Sequence, residues 1–367
     1  MRAVERNAGR IKVLDTFRFF AIIGVMFYHY FHRWAPPHND ISFYPYKPTF
    51  NFFSHGDLGV EFFFIISGFV IAFTLEGTDK LHIFWKKRMI RLLPAMITCS
   101  LVTLLVCSFV DLNHIFPKGQ SFTSFFYSIT FLSPDLLNVL LKSFSIQGDY
   151  VNGSYWSLWA EVQFYFLVSL VFFLNKKHFV RNFYILSLTL FFAFKLLFNV
   201  KYGTNFLHLT VTPDLLTKLE FWVFQVFSIT TFINWFLMGV LFYKIYSKGF
   251  SRYITIGLVG LICIQFLSSH IWEERVTIIW MVIAFFALIL YEEKLEFLNL
   301  RLLTNIGAAS YSLYLIHENI GVVLINRYAA SWGDYSYLFP LLIMVVMIVF
   351  GMLHFKFIEK PVGKFLR

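Results

Sequence analysis

Ten apolar stretches, each long enough to cross a bilayer as one helix, recur along this chain. A spanning helix needs about 20 predominantly apolar residues, and a chain in lipid must satisfy its own backbone hydrogen bonds. With 58% hydrophobic and 14% charged residues, the composition lies outside the soluble range. The sequence therefore predicts an all-α fold, a polytopic membrane helix bundle of about ten transmembrane helices. The predicted spans are 13–34, 58–75, 92–110, 155–174, 183–200, 225–243, 253–268, 276–291, 305–325 and 335–357.

The distribution of lysine and arginine predicts the orientation of the bundle, because cytoplasmic loops are enriched in both residues. The N-terminal segment, the loops 76–91, 175–182, 244–252 and 292–304, and the tail from 356 hold 4, 5, 3, 3, 2 and 4 of them, or 21 of 31. We therefore expect both termini to be cytoplasmic in a multi-pass protein of the cytoplasmic (inner) membrane. The net charge of +10 is then mainly an orientation signal, and it gives no reason to expect nucleic acid as a partner.

The predicted spans fill almost the whole sequence, so we treat residues 1–367 as a single membrane-embedded domain with short cytoplasmic tails, 1–12 and 358–367. The first apolar run is too long for a cleavable signal, and two prolines follow it instead of a cleavage site. We therefore expect it to remain as a helix. The longest external segment, 111–154, is predicted to be a loop with re-entrant or interfacial pieces.

The sequence lacks the signals of metal sites and of soluble enzymes. Its three cysteines, Cys99, Cys107 and Cys263, fall inside predicted spans without a CxxC spacing, which favours neither disulfides nor a cysteine metal site. GxSxG, P-loop, HExxH and glycine-rich dinucleotide motifs are absent from the sequence. Any chemistry is expected to be membrane chemistry without a metal.

Arg18 and His29 lie inside the first predicted span, where ionisable side chains are costly and mark functional sites. Eleven helical steps return to within about 20° of the starting direction and rise roughly 16 Å. The two side chains therefore share one helical face at different depths. The alternative is that the arginine snorkels to one interface and that the histidine lies at the other.

Further polar residues occur near the ends of the next two spans. Glu61 enters the second span from the external side, with Ser67 deeper, and its carboxylate could orient His29; a helix-start acid stabilised by the helix dipole is the alternative. Arg88 and Arg91 lie at i and i+3 where the third span begins, and paired guanidinium groups suit phosphate recognition. Positive-inside anchoring is the alternative for this pair.

Two later spans also contain polar residues. Glu161 lies inside the fourth span and should face the bundle interior. In the ninth span, Ser310, Tyr314 and His317 lie on one stripe, although small polar groups in membrane helices often only bind their neighbours. The sequence reveals no partner for Lys195 in the fifth span or for His354 in the tenth.

Taken in order, these segments resemble the acyltransferase family three of integral membrane enzymes, which O-acylate carbohydrates and other acceptors. LDTFRFFAIIGVMFYH is similar to the opening helix of the family, with its arginine, ten residues and histidine. GDLGVEFFFIISGF, FWKKRMIRLLP, YWSLWAEVQFYFL, IGAASYSLYLIH and FIEKP resemble further family patterns. LDTFR departs from the usual LDGLR. Some members carry a fused SGNH hydrolase-like domain, and this sequence resembles the stand-alone members without one.

The resemblance implies a function and roles for these residues. The protein is expected to move an acyl group, most often acetyl, from cytosolic acyl-CoA to a hydroxyl of a cell-surface or lipid-linked saccharide. His29, oriented by an acid such as Glu61, would act as general base or carry the acyl group covalently, and Arg18 would bind the donor or stabilise an oxyanion. Arg88 and Arg91 would hold the phosphates of coenzyme A. The remaining candidates, expected to bind substrate or to be structural polar residues, are Glu161, Ser67, Ser310 and His317.

A second class of function stays open from the sequence. Polar residues inside a ten-span bundle also line solute paths, so a transporter or flippase of a glycan or small anionic solute is the alternative. The absence of a visible inverted repeat or of interrupted half-helices argues against it. Another membrane O-acyltransferase architecture built around an intramembrane histidine would lack these ordered motifs.

Overall fold

A computed structural model of the chain describes residues 11–34, 53–202, 212–269 and 271–366. Within these ranges every regular element is a helix, which confirms the prediction of an all-α bundle. The α-helices are α1 (Lys12–Tyr28), α2 (Gly59–Glu76), α3 (Leu81–Val110), α4 (Phe122–Ile129), α5 (Pro134–Leu140), α6 (Trp156–Leu174), α7 (Phe179–Tyr202), α8 (Pro213–Glu220), α9 (Ile229–Lys248), α10 (Arg252–Ser268), α11 (Trp272–Tyr291), α12 (Arg301–Ala308), α13 (Ser310–Tyr328), α14 (Phe339–His354) and α15 (Lys360–Phe365).

Each of the ten predicted spans overlaps a helix. Within the described residues, seven helical segments are long and apolar enough to cross a membrane, and one of them, Ser310–Phe365, contains both α13 and α14. The chain is therefore a multi-pass membrane protein. The number ten and the cytoplasmic position of both termini stay predictions.

The helix that carries the paired arginines is longer than its apolar core. The sequence places the third span at 92–110, whereas α3 begins at Leu81 and runs for 30 residues. Hydropathy marks only the lipid-immersed part of a helix, and the basic residues before it still have strong helix propensity. Arg88 and Arg91 consequently lie inside a regular helix, which fixes their spacing on one face.

The helices α2 and α9 cross in close contact in the core. A Cβ added at Gly239 would lie 2.0 Å from the carbonyl oxygen of Ile65, and one added at Gly68 would lie 2.1 Å from that of Phe236. Both glycines therefore let the two backbones touch, as small residues commonly do between membrane helices. This contact fixes the helix that carries Glu61 and Ser67.

The first helix is held against two later ones. Tyr30 donates a hydrogen bond of 2.6 Å to the carbonyl oxygen of His317 in α13. At the opposite end, Gly307 of α12 packs on the backbone of Asp15, where an added Cβ would lie 1.7 Å from the carbonyl oxygen. These contacts set the depth of Arg18 and His29 relative to α13.

The segment 111–154 forms a cap of short helices, which includes α4 and α5. Its last part is tied to the core, because the side chains of Asn152 and Tyr155 donate hydrogen bonds of 3.1 and 3.0 Å to the carbonyl oxygen of Leu315. The cap thereby brings its polar residues against the same end of α13 that faces His29.

Candidate functional site

Three cavities follow one another through the bundle. The first, which we call the basic cavity, has a volume of about 1150 Å³. Its lining comes from α3, from α15 and from the first turns of α1. The basic side chains that line it are Arg18, Lys86, Lys87, Arg88, Arg91, Lys360 and Lys364. A concentration of cations of this kind suits a ligand with several negative charges.

The second cavity, which we call the central cavity, is much smaller, at about 80 Å³. It shares Arg18, Arg88 and Arg91 with the basic cavity, so the three guanidinium groups lie between the two. Beyond them the wall carries polar residues of α2, α6 and α13, with apolar side chains between. These polar residues include Ser67, Ser157, Glu161, Tyr165, Ser310 and Tyr314.

The third cavity, which we call the histidine cavity, has a volume of about 690 Å³. Its wall brings together His29, Glu61 and Glu318 from three helical segments, and the ionisable side chains of Arg33, Asp57, Lys118 and Asp149 also line it. Aromatic residues surround them: Tyr28, Trp34, Phe116, Tyr150, Trp156, Phe232 and Tyr314. Aromatic faces beside carboxylates provide both flat apolar surface and hydrogen-bond acceptors.

Arg88 is the clearest candidate for ligand binding where the basic and central cavities meet. Its side chain is 7% exposed, and Nε and Nη1 have no hydrogen-bond partner among the described residues. Buried donors are nearly always paired in native proteins, so two unpaired donors that face a cavity call for a bound acceptor. Arg18, in contrast, is already paired with Asp15 at 2.7 Å.

Glu161 is the centre of a small hydrogen-bond network in the central cavity. One carboxylate oxygen accepts hydrogen bonds from Ser67 at 2.7 Å and from Tyr165 at 2.5 Å. The sequence placed Ser67 and Glu161 among the candidates without linking them, and the structure brings them into direct contact. The network sets a negative charge beside the arginines and fixes the wall opposite α13.

The carboxylate that contacts His29 is Glu318. Its Oε1 lies 3.3 Å from His29 Nδ1 and also accepts a hydrogen bond of 3.3 Å from Trp34 Nε1. Glu61, which the sequence suggests as a carboxylate that could orient His29, lines the same cavity from α2, whereas α13 places Glu318 beside the ring. The role of Glu61 stays a prediction. The two atoms are close enough for an ion pair, but His29 Nδ1 makes no hydrogen bond among the described residues. With Nδ1 protonated, Nε2 would be the base.

A second imidazole lies beside His29. The ring centroids of His29 and His317 are 5.0 Å apart, and His317 Nδ1 lies 2.8 Å from the carbonyl oxygen of Tyr314. His317 Nε2 is buried without a hydrogen-bond partner among the described residues. His29 itself begins a π-helical turn, His29–Arg33, and such turns are frequent at functional sites.

Tyr150, from the cap, supplies a hydrogen-bond donor to the histidine cavity. Its hydroxyl is buried and has no partner within the described residues. Burial raises the pKa of Tyr150 above its ordinary value, so the phenol stays protonated. A neutral O–H that faces the cavity can bind an acceptor atom of a ligand.

Lys195 and His354 lie outside the three cavities. Lys195 lies over the ring of Phe191 at 5.5 Å. His354 has hydrogen-bond partners on both ring nitrogens, Thr98 at 2.6 Å and Ser312 at 2.9 Å, and Ser312 also donates to Glu359 at 2.8 Å. Within the described residues, no group of His, Cys, Asp and Glu side chains could hold a metal ion.

The sequence reasoning missed Glu318, Asp15 and Tyr165. Glu318 carries the signal that identified Glu161, an acid inside an apolar span, and it follows directly after His317. Asp15 lies one helical turn before Arg18, a spacing typical of ion pairs. Tyr165 has no distinguishing signal among the 19 tyrosines of the chain.

Comparison with known proteins was made at the level of sequence. Residues 11–355 match the family described as acyltransferase domain. The O-acetyltransferase OatA of Staphylococcus aureus strain NCTC 8325 is 26% identical over 391 residues, which cover 96% of this chain and 57% of that protein. The putative O-acetyltransferase SACOL0978 of Staphylococcus aureus strain COL is 34% identical over 95 residues, 24% of this chain and 13% of that protein. This chain thus spans little more than half the length of OatA, and no solved structure matches it.

Proposed function

This chain belongs to the acyltransferase domain family, and we propose that it is a membrane O-acetyltransferase that moves an acetyl group from acetyl-CoA to a hydroxyl of a cell-surface or lipid-linked saccharide. The donor enters the basic cavity and the acceptor enters the histidine cavity. Support comes from the family, from the similarity to OatA and from the row of three cavities, in which arginines and the histidine lie at opposite ends.

The observation that carries the donor assignment is that two donors of Arg88, Nε and Nη1, have no hydrogen-bond partner among the described residues, while the side chain lines both the basic and the central cavity. Coenzyme A carries several phosphates, for which the lysines of α3 and α15 provide charge and the arginines provide bidentate donors. These lysines belong to two segments whose basic charge predicts a cytoplasmic position, 76–91 and the tail from 356; they are Lys86, Lys87, Lys360 and Lys364. A cytosolic donor would therefore meet this cavity first.

The acceptor assignment follows from the histidine cavity. A saccharide hydroxyl that binds beside His29 can pass its proton to Nε2 while Glu318 stabilises the imidazolium that forms. The hydroxyl oxygen attacks the thioester carbonyl carbon, the C–S bond breaks, and the coenzyme A thiolate leaves with the bonding electron pair. A general base of this kind contributes about 10² to 10⁴ in rate.

The test compares membranes that contain the protein, its His29→Ala variant or neither. Acetyl-CoA is supplied on the side of the basic cavity, and the surface saccharides are examined by mass spectrometry for an added acetyl group. We expect acetylation only with the unchanged protein, at equal membrane levels of both forms.

Two outcomes would contradict the proposal. Full acetylation by His29→Ala would remove the role of His29. Transport of a saccharide without consumption of acetyl-CoA would favour a transporter or flippase instead.

A further inference from the structure

The central and histidine cavities are separated by a wall that contains one polar side chain. Only Val60 and Tyr314 line both cavities among the residues that the structure describes around them. Tyr314 is 7% exposed and Val60 is 8% exposed. The donor side and the acceptor side of the bundle are therefore not joined past these two side chains.

Tyr314 is held in place by hydrogen bonds to one short segment before and within α6. Its hydroxyl lies 2.8 Å from Ser157 Oγ and donates a hydrogen bond of 2.9 Å to the carbonyl oxygen of Ser154. These bonds fix the ring across the boundary between α13 and α6. They can break and re-form without any change in the backbone, because a side-chain rotation separates the groups.

The ring of Tyr314 also packs on the imidazole that neighbours the base. Its centroid lies 5.3 Å from that of His317 and 6.2 Å from that of Phe63. His317 in turn packs on His29. A displacement of Tyr314 would therefore change the packing of the two imidazole rings, His317 and His29.

We propose that Tyr314 is a gate that separates the donor and acceptor cavities and swings aside only while the thioester passes to the acceptor beside His29. The identity of the group that passes rests on the proposed function. The closed wall itself is a feature of the structure and does not depend on that function. His29 does not line the central cavity, whereas Arg18, Arg88 and Arg91 do. The thioester of a donor whose phosphates the arginines bind therefore reaches the acceptor beside His29 only after Tyr314 moves.

A closed gate prevents the leakage of ions through the bundle and protects the thioester from water. A continuous wet path past the arginines and carboxylates would let protons and small ions cross the membrane, and it would expose the thioester to water from the acceptor side. The central cavity, at about 80 Å³, has room for only a few water molecules. One tyrosine ring at its far end is enough to close it.

The experiment measures access to the central cavity from each side of the membrane. Cys99, Cys107 and Cys263 are replaced by alanine, and Ser310→Cys places one thiol in the central cavity. A membrane-impermeant charged thiol reagent is then added to oriented vesicles, on the side of the histidine cavity or on the side of the basic cavity. Labelling at Lys118→Cys, in the histidine cavity itself, reports that the reagent reaches that cavity.

The variants are Tyr314→Phe, Tyr314→Ala and, as a matched control, Tyr311→Phe. Tyr311 lies in the central cavity but not in the shared wall, and it donates a hydrogen bond of 3.2 Å to the carbonyl oxygen of Leu92. Tyr314→Phe should fold normally, because Ser157 Oγ keeps a partner in the carbonyl oxygen of Ser154 at 3.2 Å.

We expect slow labelling of Ser310→Cys from the histidine-cavity side when Tyr314 is present. Tyr314→Phe should raise that rate about tenfold, as the loss of two hydrogen bonds implies, and Tyr314→Ala should raise it further. Tyr311→Phe should leave it unchanged. Labelling from the basic-cavity side should be similar in all forms.

Two results would overturn the gate. Labelling from the histidine-cavity side that is already fast with Tyr314, or that is unchanged in both Tyr314 variants, would show that this side chain does not close the path. These measurements need no acyl transfer, so a failed acetyl-transfer assay with intact gating would refute the proposed function alone. Faster labelling after acetyl-CoA is added on the basic side would tie the gate to the donor.

Discussion

The contact between His29 and Glu318 makes a prediction that distinguishes two carboxylates in one cavity. We expect Glu318→Gln to lower kcat/KM for acetyl transfer strongly, whereas Glu61→Gln, the matched change on α2, should have a much smaller effect. Glutamine keeps the shape of the side chain and its hydrogen bond to Trp34 but removes the charge. The pair therefore isolates the electrostatic role of Glu318.

The magnitude follows from the distance. At 3.3 Å, a carboxylate and an imidazolium attract each other by about 5 kcal/mol when the effective dielectric constant is about 20. That value is an upper bound for the help that Glu318 gives as His29 acquires its charge. Half of it corresponds to a rate factor of about 10², so we expect a loss of about 10² to 10³ in kcat/KM.

The assay follows release of free coenzyme A thiol in the presence of acceptor, with purified variants in lipid vesicles. Matching thermal unfolding midpoints would show that each variant is folded. If Glu61→Gln lost activity as Glu318→Gln is expected to, and Glu318→Gln kept it, the assignment of the orienting carboxylate from the structure would be refuted.

Two further substitutions test donor binding between the basic and central cavities and the packing of the core. Arg88→Gln should raise the KM for acetyl-CoA about tenfold or more, because it removes a charged donor to the ligand. Lys80→Gln is the control, because Lys80 is exposed just before α3 and lines none of the three cavities. An unchanged KM in Arg88→Gln would exclude a role in donor binding. Gly239→Ala should destabilise the protein by about 1–3 kcal/mol, because its Cβ meets the backbone of α2. Gly77→Ala, whose Cβ meets no atom closer than 3.9 Å, is the control, and equal thermal midpoints for both would contradict the close α2–α9 contact.

The sequence identified several of the polar residues that line the cavities, because a charge or hydroxyl inside an apolar span is conspicuous. Arg18, Arg88 and Arg91 were grouped on one side by the charge count and by helical spacing, and the structure places all three in the walls of the basic and central cavities. Their proposed roles depend on the family and on experiment.

Pairing between distant helices was not predictable in the same way. Glu61 and Glu318 are both acids near one end of a span, and their hydropathy and spacing do not tell which one meets His29. That choice depends on how α1 rotates against α13, which the Tyr30 hydrogen bond and the helix contacts fix.

By itself, the sequence determined that this chain is an all-α membrane protein, since apolar length and backbone hydrogen bonding leave a chain in lipid few options. It also determined which polar residues are costly enough to need an explanation. Only the tertiary structure decided that Glu318 contacts His29, that Ser67 and Tyr165 meet Glu161, and that Tyr314 stands between two cavities. These contacts join residues far apart in the chain, and their geometry comes from the packing of whole helices, which local patterns do not encode.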